Sequence, residues 1–380
     1  MNNTGSDLKN PIVSIPAKKS SAANGGAAAV SGANGSEKKE SSQNRQKEHI
    51  LILFYQEYPK AMPVHDEVVD QIKDTLLNLG YWVSLLPINQ SIERITNGIR
   101  QEKPDLIFNL CETFRDNDQF DSNVTALLEM LEVPFTGSTS GSLFLSGDKH
   151  VSKKIFDFHR IPYADFFVVR VGQDVAVPRG FTYPLFVKPV REDASIGIDD
   201  NSVAKDYDSL VKKVKELHET LGGDVMVEKF IDGREFYVSL IGDDGNAKPL
   251  EIVELDFSKY PAGKPKIYSN RAKIDENSEE YKKIDFSYGP DLKKTLSEEV
   301  QKKMGDLAVK VCKAMDVHDY TRIDMRMDKE GKIYVLEANL NPYLANEDIM
   351  AMAAQSSGIS YQQLIEGIVR SALARAKIKA

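Results

Sequence analysis

Two apolar-alternating runs, Arg322–Met327 and Lys332–Glu337, flank the polar stretch Asp328–Gly331. This pattern predicts a β-hairpin closed by a short, glycine-containing turn. Alternate residues of a strand share a face, so Arg322 and Asp324 point one way together, as do Glu337 and Asn339. Upstream, the apolar run His49–Phe54 predicts a buried strand. Val64, Val68, Val69, Ile72, Leu76, Leu77 and Leu79 recur at helical spacing, and Gly80 ends that helix. Tyr81–Ile88 and Asp105–Leu110 read as further strands, with a helix near Ser91–Glu102 between them. Ser122 is placed to cap a helix through about Leu131. Strand and helix in alternation predict a parallel sheet with covering helices.

Beyond residue 146 the pattern changes. Gly147-Asp148-Lys149 opens a helix to Arg160. The apolar strand Pro184–Val187 runs into Lys188 and Pro189, and Asp206–Leu221 is an amphipathic helix. Val225–Ile231, Phe236–Ile241 and Pro249–Phe257 read as strands. Asp275–Pro290 is polar, as a lid would be, and Thr295–Met315 is a long helix.

Composition narrows the class. A chain of 380 residues exceeds what one core usually serves, and 41% hydrophobic with 28% charged residues fits a soluble globular protein. The expected division is a disordered tail over 1–47, an N-terminal α/β domain over 48–146, a central domain over 147–241 and a C-terminal domain over 242–380. The tail reading rests on the absence of any aromatic residue there and on its Ser, Ala, Asn, Gly and Lys content. It has no basic start followed by a continuous apolar core, as a secretory signal would. A net charge of −8 argues against nucleic-acid binding. No apolar run approaches the roughly 18 to 20 residues that cross a bilayer. Two distant cysteines, Cys111 and Cys312, suit a reducing compartment, so a cytoplasmic location is expected.

The candidate chemistry centres on the hairpin. Pairing its strands brings Asp324, Glu337 and Asn339 together: two carboxylates and an amide oxygen, with no His or Cys. Oxygen ligands of this kind suit Mg²⁺, which takes one or two carboxylates plus nucleotide phosphates, and Mn²⁺ accepts the same set. Arg322 beside them is suited to a phosphate or a developing oxyanion. Lys188 at the end of an apolar strand is awkwardly placed for a core and well placed to meet a phosphate.

Arg322-Ile323-Asp324, then Glu337-Ala338-Asn339 and Pro342, resembles the magnesium-binding end of the ATP-grasp ligases, with the D-alanine–D-alanine ligase family the nearest branch. The resemblance runs from about His49 to the C-terminus. It implies an ATP-grasp fold of α/β (α+β) class, in which an N-terminal parallel α/β domain is followed by central and C-terminal α+β domains enclosing ATP. It implies a carboxylate–amine ligase acting through an acyl phosphate on small-molecule acid and amine substrates, and it is compatible with a homodimer. By the same resemblance Lys149 and Lys188 reach the phosphates, Glu228 accepts from the adenine amino group, the backbone of Lys229, Phe230 and Ile231 faces the ring, and Glu235 holds the ribose hydroxyls. Ser195, in the loop Arg191–Ile198, belongs to a flap over the phosphates, and Lys273 rides a mobile loop toward the γ-phosphate. With Arg322, these two form the catalytic set. Glu112, Arg115, Tyr268, Arg271, Tyr343 and Asp348 are candidates for substrate contact.

The sequence also departs from the family. Asn109–Asp116 lacks the expected glycine-rich acidic loop, and Asp193 and Ala194 stand where glycine and serine are usual. Tyr343 and Asp348 occupy places where a D-alanine ligase has a glycine and a carboxylate-binding serine. Asp348 suits a cationic amine, or an N-cap on the following helix. Three other functions stay open at this stage: a phosphotransferase of the same fold, D-alanine–D-alanine ligation itself, and a nucleotide-binding module without turnover.

Overall fold

The computed structural model describes residues 13–15, 47–56, 66–242 and 246–379. Three sheets carry these residues. In the first, His49–Tyr55 lies parallel to both Trp82–Ile88 and Leu106–Leu110, as the strand–helix alternation predicts. Val13–Ile15 adds an antiparallel edge strand to Trp82–Ile88. Those three residues fall within the stretch expected to be an unstructured tail, and they depart from that expectation. The residues around them lie outside the described ones, as does Val64 of the first helix.

The second sheet is antiparallel, in the order Phe166–Val169, Val225–Lys229, Leu185–Pro189, Val203–Ala204. The third runs Asp285–Tyr288, Val253–Asp256, Gly233–Ile241, Tyr320–Asp328, Ile333–Asn339, with Lys248–Pro249 paired to Gly233–Ile241. Helices Glu67–Asn78, Ile92–Glu102 and Asp121–Met130 cover the first sheet. Tyr207–Leu221 packs its stripe of Leu210, Val214 and Leu217 on the second. Glu298–Met315 buries Met304, Ala308, Val311 and Met315 against the third.

Several local expectations are corrected. Ser122 does not cap its helix: the helix starts at Asp121, and a short turn capped by Asn117 leads into it. The segment expected as one strand, Pro249–Phe257, splits into Lys248–Pro249 and Val253–Asp256. Lys273, expected on a mobile loop, sits on a short helix, Asn270–Ile274, capped by Ser269. The expected lid contains a helix, Glu279–Lys283, and a strand, Asp285–Tyr288, that pairs with Val253–Asp256. Local patterning could not reveal that pairing, because the partner strand is remote in sequence, although Phe286 and Tyr288 alternate on the side packed against the core.

Candidate active site

The hairpin forms as its alternation predicts. Arg322 opposes Asn339 and Asp324 opposes Glu337, all on one face. Between Asp324 and Met325 the register shifts, because Glu337 and Val335 pair with consecutive residues and Leu336 is left over. Such a bulge re-aims side chains beside a site. On the other flank Gly233–Ile241 pairs with the same central strand, setting Glu235 opposite Arg326 and Tyr237 opposite Asp324. A period of two therefore projects Arg322, Asp324, Arg326, Glu235, Tyr237 and Glu337 from one sheet face.

This face and the second sheet wall a cleft of about 780 Å³, its open mouth included. Among its lining residues are Lys149, Lys188, Ser195, Glu228, Lys229, Phe230, Ile231, Glu235, Tyr268, Lys273, Asp324 and Glu337. The expected nucleotide residues Lys149, Lys188, Glu228, Lys229, Phe230, Ile231 and Glu235 thus line one cavity. Arg322 and Asn339 stand one pleat further along the same face.

Local chemistry explains each position. Asp148 caps the helix Lys149–Phe158, accepting from His150 N and Val151 N at 3.0 Å each. Lys149 therefore starts the helix and is turned inward, where its ammonium donates to Glu192 O (2.8 Å) and Asp193 Oδ1 (3.0 Å) and lies 3.4 Å from Glu337. Burial alone would lower the Lys149 pKa, but Asp193 and Glu337 raise it above the ordinary value. Arg322 grips Asp324 with two hydrogen bonds, 2.7 and 3.0 Å. Glu235 accepts from Arg326 Nε at 3.1 Å and from the Tyr237 hydroxyl at 3.0 Å. Arg326 also donates to Ile231 O and Lys266 O, bracing the cleft wall.

Charge is finely divided here. Burial pushes the Asp324 carboxyl up against the pull of Arg322. Burial acts the same way on Glu337, but Lys149, Lys188, Lys273 and Arg322 overcome it and hold that carboxyl low. Burial, with Arg322 nearby, draws the Lys273 ammonium down. Lys153 and Lys188 keep Glu228 ionised although it is buried.

The flap arches over the cleft. Ala194 and Ser195 take positive φ (+49° and +60°), the conformation glycine adopts without strain. Ser195 Oγ donates to Tyr268 O at 2.8 Å, and Asn270 reaches Ala194 O at 3.2 Å. Ser195 and Tyr268 therefore fasten the flap to the opposite wall.

The remaining substrate candidates separate into groups. Glu112 and Tyr343 line a second cavity with Asp66, at the carboxyl ends of His49–Tyr55 and Leu106–Leu110. Tyr343 donates its hydroxyl to Asp66. Glu112 is exposed at that cavity, with the carboxylates of Asp66, Asp118, Asp121 and Asp193 around it. Asp348 caps the helix Ile349–Ser356 through Ile349 N. Arg115 donates to Gln90 O, and Arg271 lies 3.5 Å from Asp275; neither lines either cavity. Lys153 and Arg326 escaped the sequence reading. Lys153 is one turn after Lys149, and Arg326 continues the alternation of Arg322 and Asp324.

Oxygen donors fit a magnesium ion at this face. Among the described residues no group of three or more His, Cys, Asp or Glu is placed to hold a metal, so a cation here depends on Asp324, Glu337 and further oxygens. Asn339 Oδ1 accepts from Asn341 N at 3.1 Å and retains a second lone pair.

The D-ala D-ala ligase C-terminus family matches residues 154–370. An uncharacterised protein of Sinorhizobium fredii is 31% identical over 326 residues, covering 83% of this chain and 90% of that protein. A D-alanine–D-alanine ligase of Aquifex aeolicus is 30% identical over 253 residues, 66% of this chain and 77% of that one. In fold, the chain resembles the D-alanine–D-alanine ligase of Bacillus anthracis complexed with ATP, with a TM-score of 0.66 and 21% identity over 88% of this chain and all of that one. The chain belongs to the D-alanine–D-alanine ligase family, with its ATP-grasp fold and its ATP-dependent ligase class.

Proposed function

We propose that this protein forms an amide from a carboxylate and an amine at the expense of ATP, on an amino acid or small peptide-like substrate. The observation that carries this reading is the single cleft where Lys149, Lys188, Lys273, Asp324 and Glu337 converge. A free carboxylate resists amide formation because its leaving group is poor, so it must be activated. A carboxylate oxygen of the acid attacks the γ-phosphorus and ADP leaves. The amine then adds to the acyl carbon, loses a proton, and phosphate departs with that oxygen. Mg²⁺ supplies charge neutralisation between phosphates when bound. Asp324, Glu337 and Asn339 would hold it. Lys149, Lys188 and Lys273 place positive charge along the phosphate path, and Arg322 stabilises charge at the acyl end. The Ser195–Tyr268 fastening excludes water, and positioning supplies much of the rate. Glu228 and Glu235 would accept from adenine and ribose, with Lys229–Ile231 along the ring.

The acid and amine subsites are read from the second cavity. Glu112, Asp66 and nearby Asp118 and Asp121 favour an ammonium-bearing substrate there. The names of the relatives favour D-alanine as a second reading. Tyr343, engaged with Asp66, and the acidic surroundings of Glu112 favour a different amine. ADP release from Mg-ATP across pooled amino acids and amines, with hydroxylamine as surrogate nucleophile, tests both readings. Acid-dependent ADP together with hydroxamate supports ligation. A stable phosphate ester identifies a phosphotransferase, and ADP with no acid in any pool contradicts the proposal.

A further inference from the structure

Lys153 is 1% exposed, yet it carries an ammonium. That ammonium lies 2.9 Å from Glu228 Oε2, while Lys188 lies 2.9 Å from Glu228 Oε1. One carboxylate thus has two cationic partners. They differ in their access to the cleft. Lys188 and Glu228 line it, and Lys153 lies behind them, over the rings of Tyr163 and Phe166 at 5.4 and 5.6 Å. Phosphates entering the cleft can draw on Lys188. They have no route to Lys153.

We propose that Lys153 is a specificity-determining residue for the nucleobase, the rear counter-ion that keeps Glu228 an acceptor and so selects a 6-amino over a 6-oxo purine. The inference rests on the ATP reading given above. An ionised carboxylate only accepts hydrogen bonds, whereas a protonated one can also donate. A 6-amino group donates to such an acceptor, and a 6-oxo group presents a second acceptor and is repelled. A carboxylate 3% exposed stays ionised only while paired. Burial draws the Lys153 ammonium down while Glu228 opposes that effect, and Glu228 itself is held low by the two lysines. With Lys153 gone, Glu228 loses its rear ammonium and keeps Lys188 on its other oxygen.

The test uses the full chain and calorimetric titration with Mg-ATP and Mg-ITP. Wild type should prefer ATP. In Lys153→Met, ATP binding should weaken roughly 10- to 100-fold, the scale of a lost buried hydrogen bond to a charged group, with ITP changed less than about threefold. Lys153→Gln keeps length and a donor but removes the charge, so it carries the same expectation should Lys153→Met fail to fold. A folded variant that keeps the wild-type ATP-to-ITP ratio, or loses both nucleotides equally, assigns Lys153 a packing role and overturns the proposal. Wild type binding neither nucleotide overturns the ATP reading itself.

Discussion

At the scale of the residue, the site is a set of charges that burial makes dependent on one another. Glu337 is held low by three lysines and an arginine, while Asp324, buried beside it, is pushed up. Glu337→Gln keeps the shape and removes the charge that a cation would need. It should reduce turnover at least about 100-fold, the scale of losing one preorganised electrostatic contact, with folding retained by circular dichroism. Wild-type turnover in that variant would remove Glu337 from the site. Asp348→Ala removes a helix cap and should cost about 1 kcal/mol, read as a lower Tm. Asp348→Ser, which keeps a capping oxygen, should restore most of that stability. If Asp348→Ser instead impairs a cationic amine far more than a neutral one, the residue also meets substrate. That Arg322 and Asp324 share a face, and Glu337 and Asn339 likewise, was legible from alternation. Lys153 was not singled out, because a lysine on an amphipathic helix ordinarily faces solvent, and only the fold shows that its helix face meets Glu228.

At the scale of the element, patterning succeeded where one face is buried and failed where pairing is remote. The hairpin Tyr320–Asp328 with Ile333–Asn339 was readable because its turn and alternation are local. The strand Phe166–Val169 and the edge strand Asp285–Tyr288 were not, because their pairing is with distant segments. The bulge at Leu336 is equally silent in sequence, yet it sets the aim of Glu337. The flap is the element most exposed to test. Gly197 has φ +75°, and a Cβ there would meet Leu217 Cδ2 at 2.8 Å. Gly197→Ala combines backbone strain with overlap and should destabilise the flap by about 1–3 kcal/mol. The expected readout is faster amide exchange across Arg191–Ile198 and weaker nucleotide binding. Unchanged exchange there would show that the loop absorbs the methyl group.

At the scale of the molecule, the C-terminal helix Tyr361–Lys379 ties the first sheet to the third. Arg375 donates to Asp319 Oδ1 at 2.7 Å, to Phe135 O at 2.8 Å and to Gly137 O at 3.2 Å, and Gly137 N donates to Asp319 Oδ2. Asp319 is almost wholly buried, so removing Arg375 takes a charged partner from a carboxylate that water barely reaches. Arg375→Ala should lower stability by about 3–5 kcal/mol in denaturant melts. A loss under 1 kcal/mol would show that other contacts of Asp319 suffice. The parallel first sheet was visible in the strand–helix alternation before residue 147. This tie was not, because nothing in the order of residues links Arg375 to Phe135.

The central claim is carboxylate activation by phosphoryl transfer. Its most direct test supplies the acid found in the ADP screen with ¹⁸O in its carboxylate, together with Mg-ATP and an amine, and weighs the inorganic phosphate released. Activation through an acyl phosphate moves one carboxylate oxygen to phosphate, so each phosphate formed should carry one ¹⁸O. Phosphate without ¹⁸O, formed alongside amide, would contradict the account.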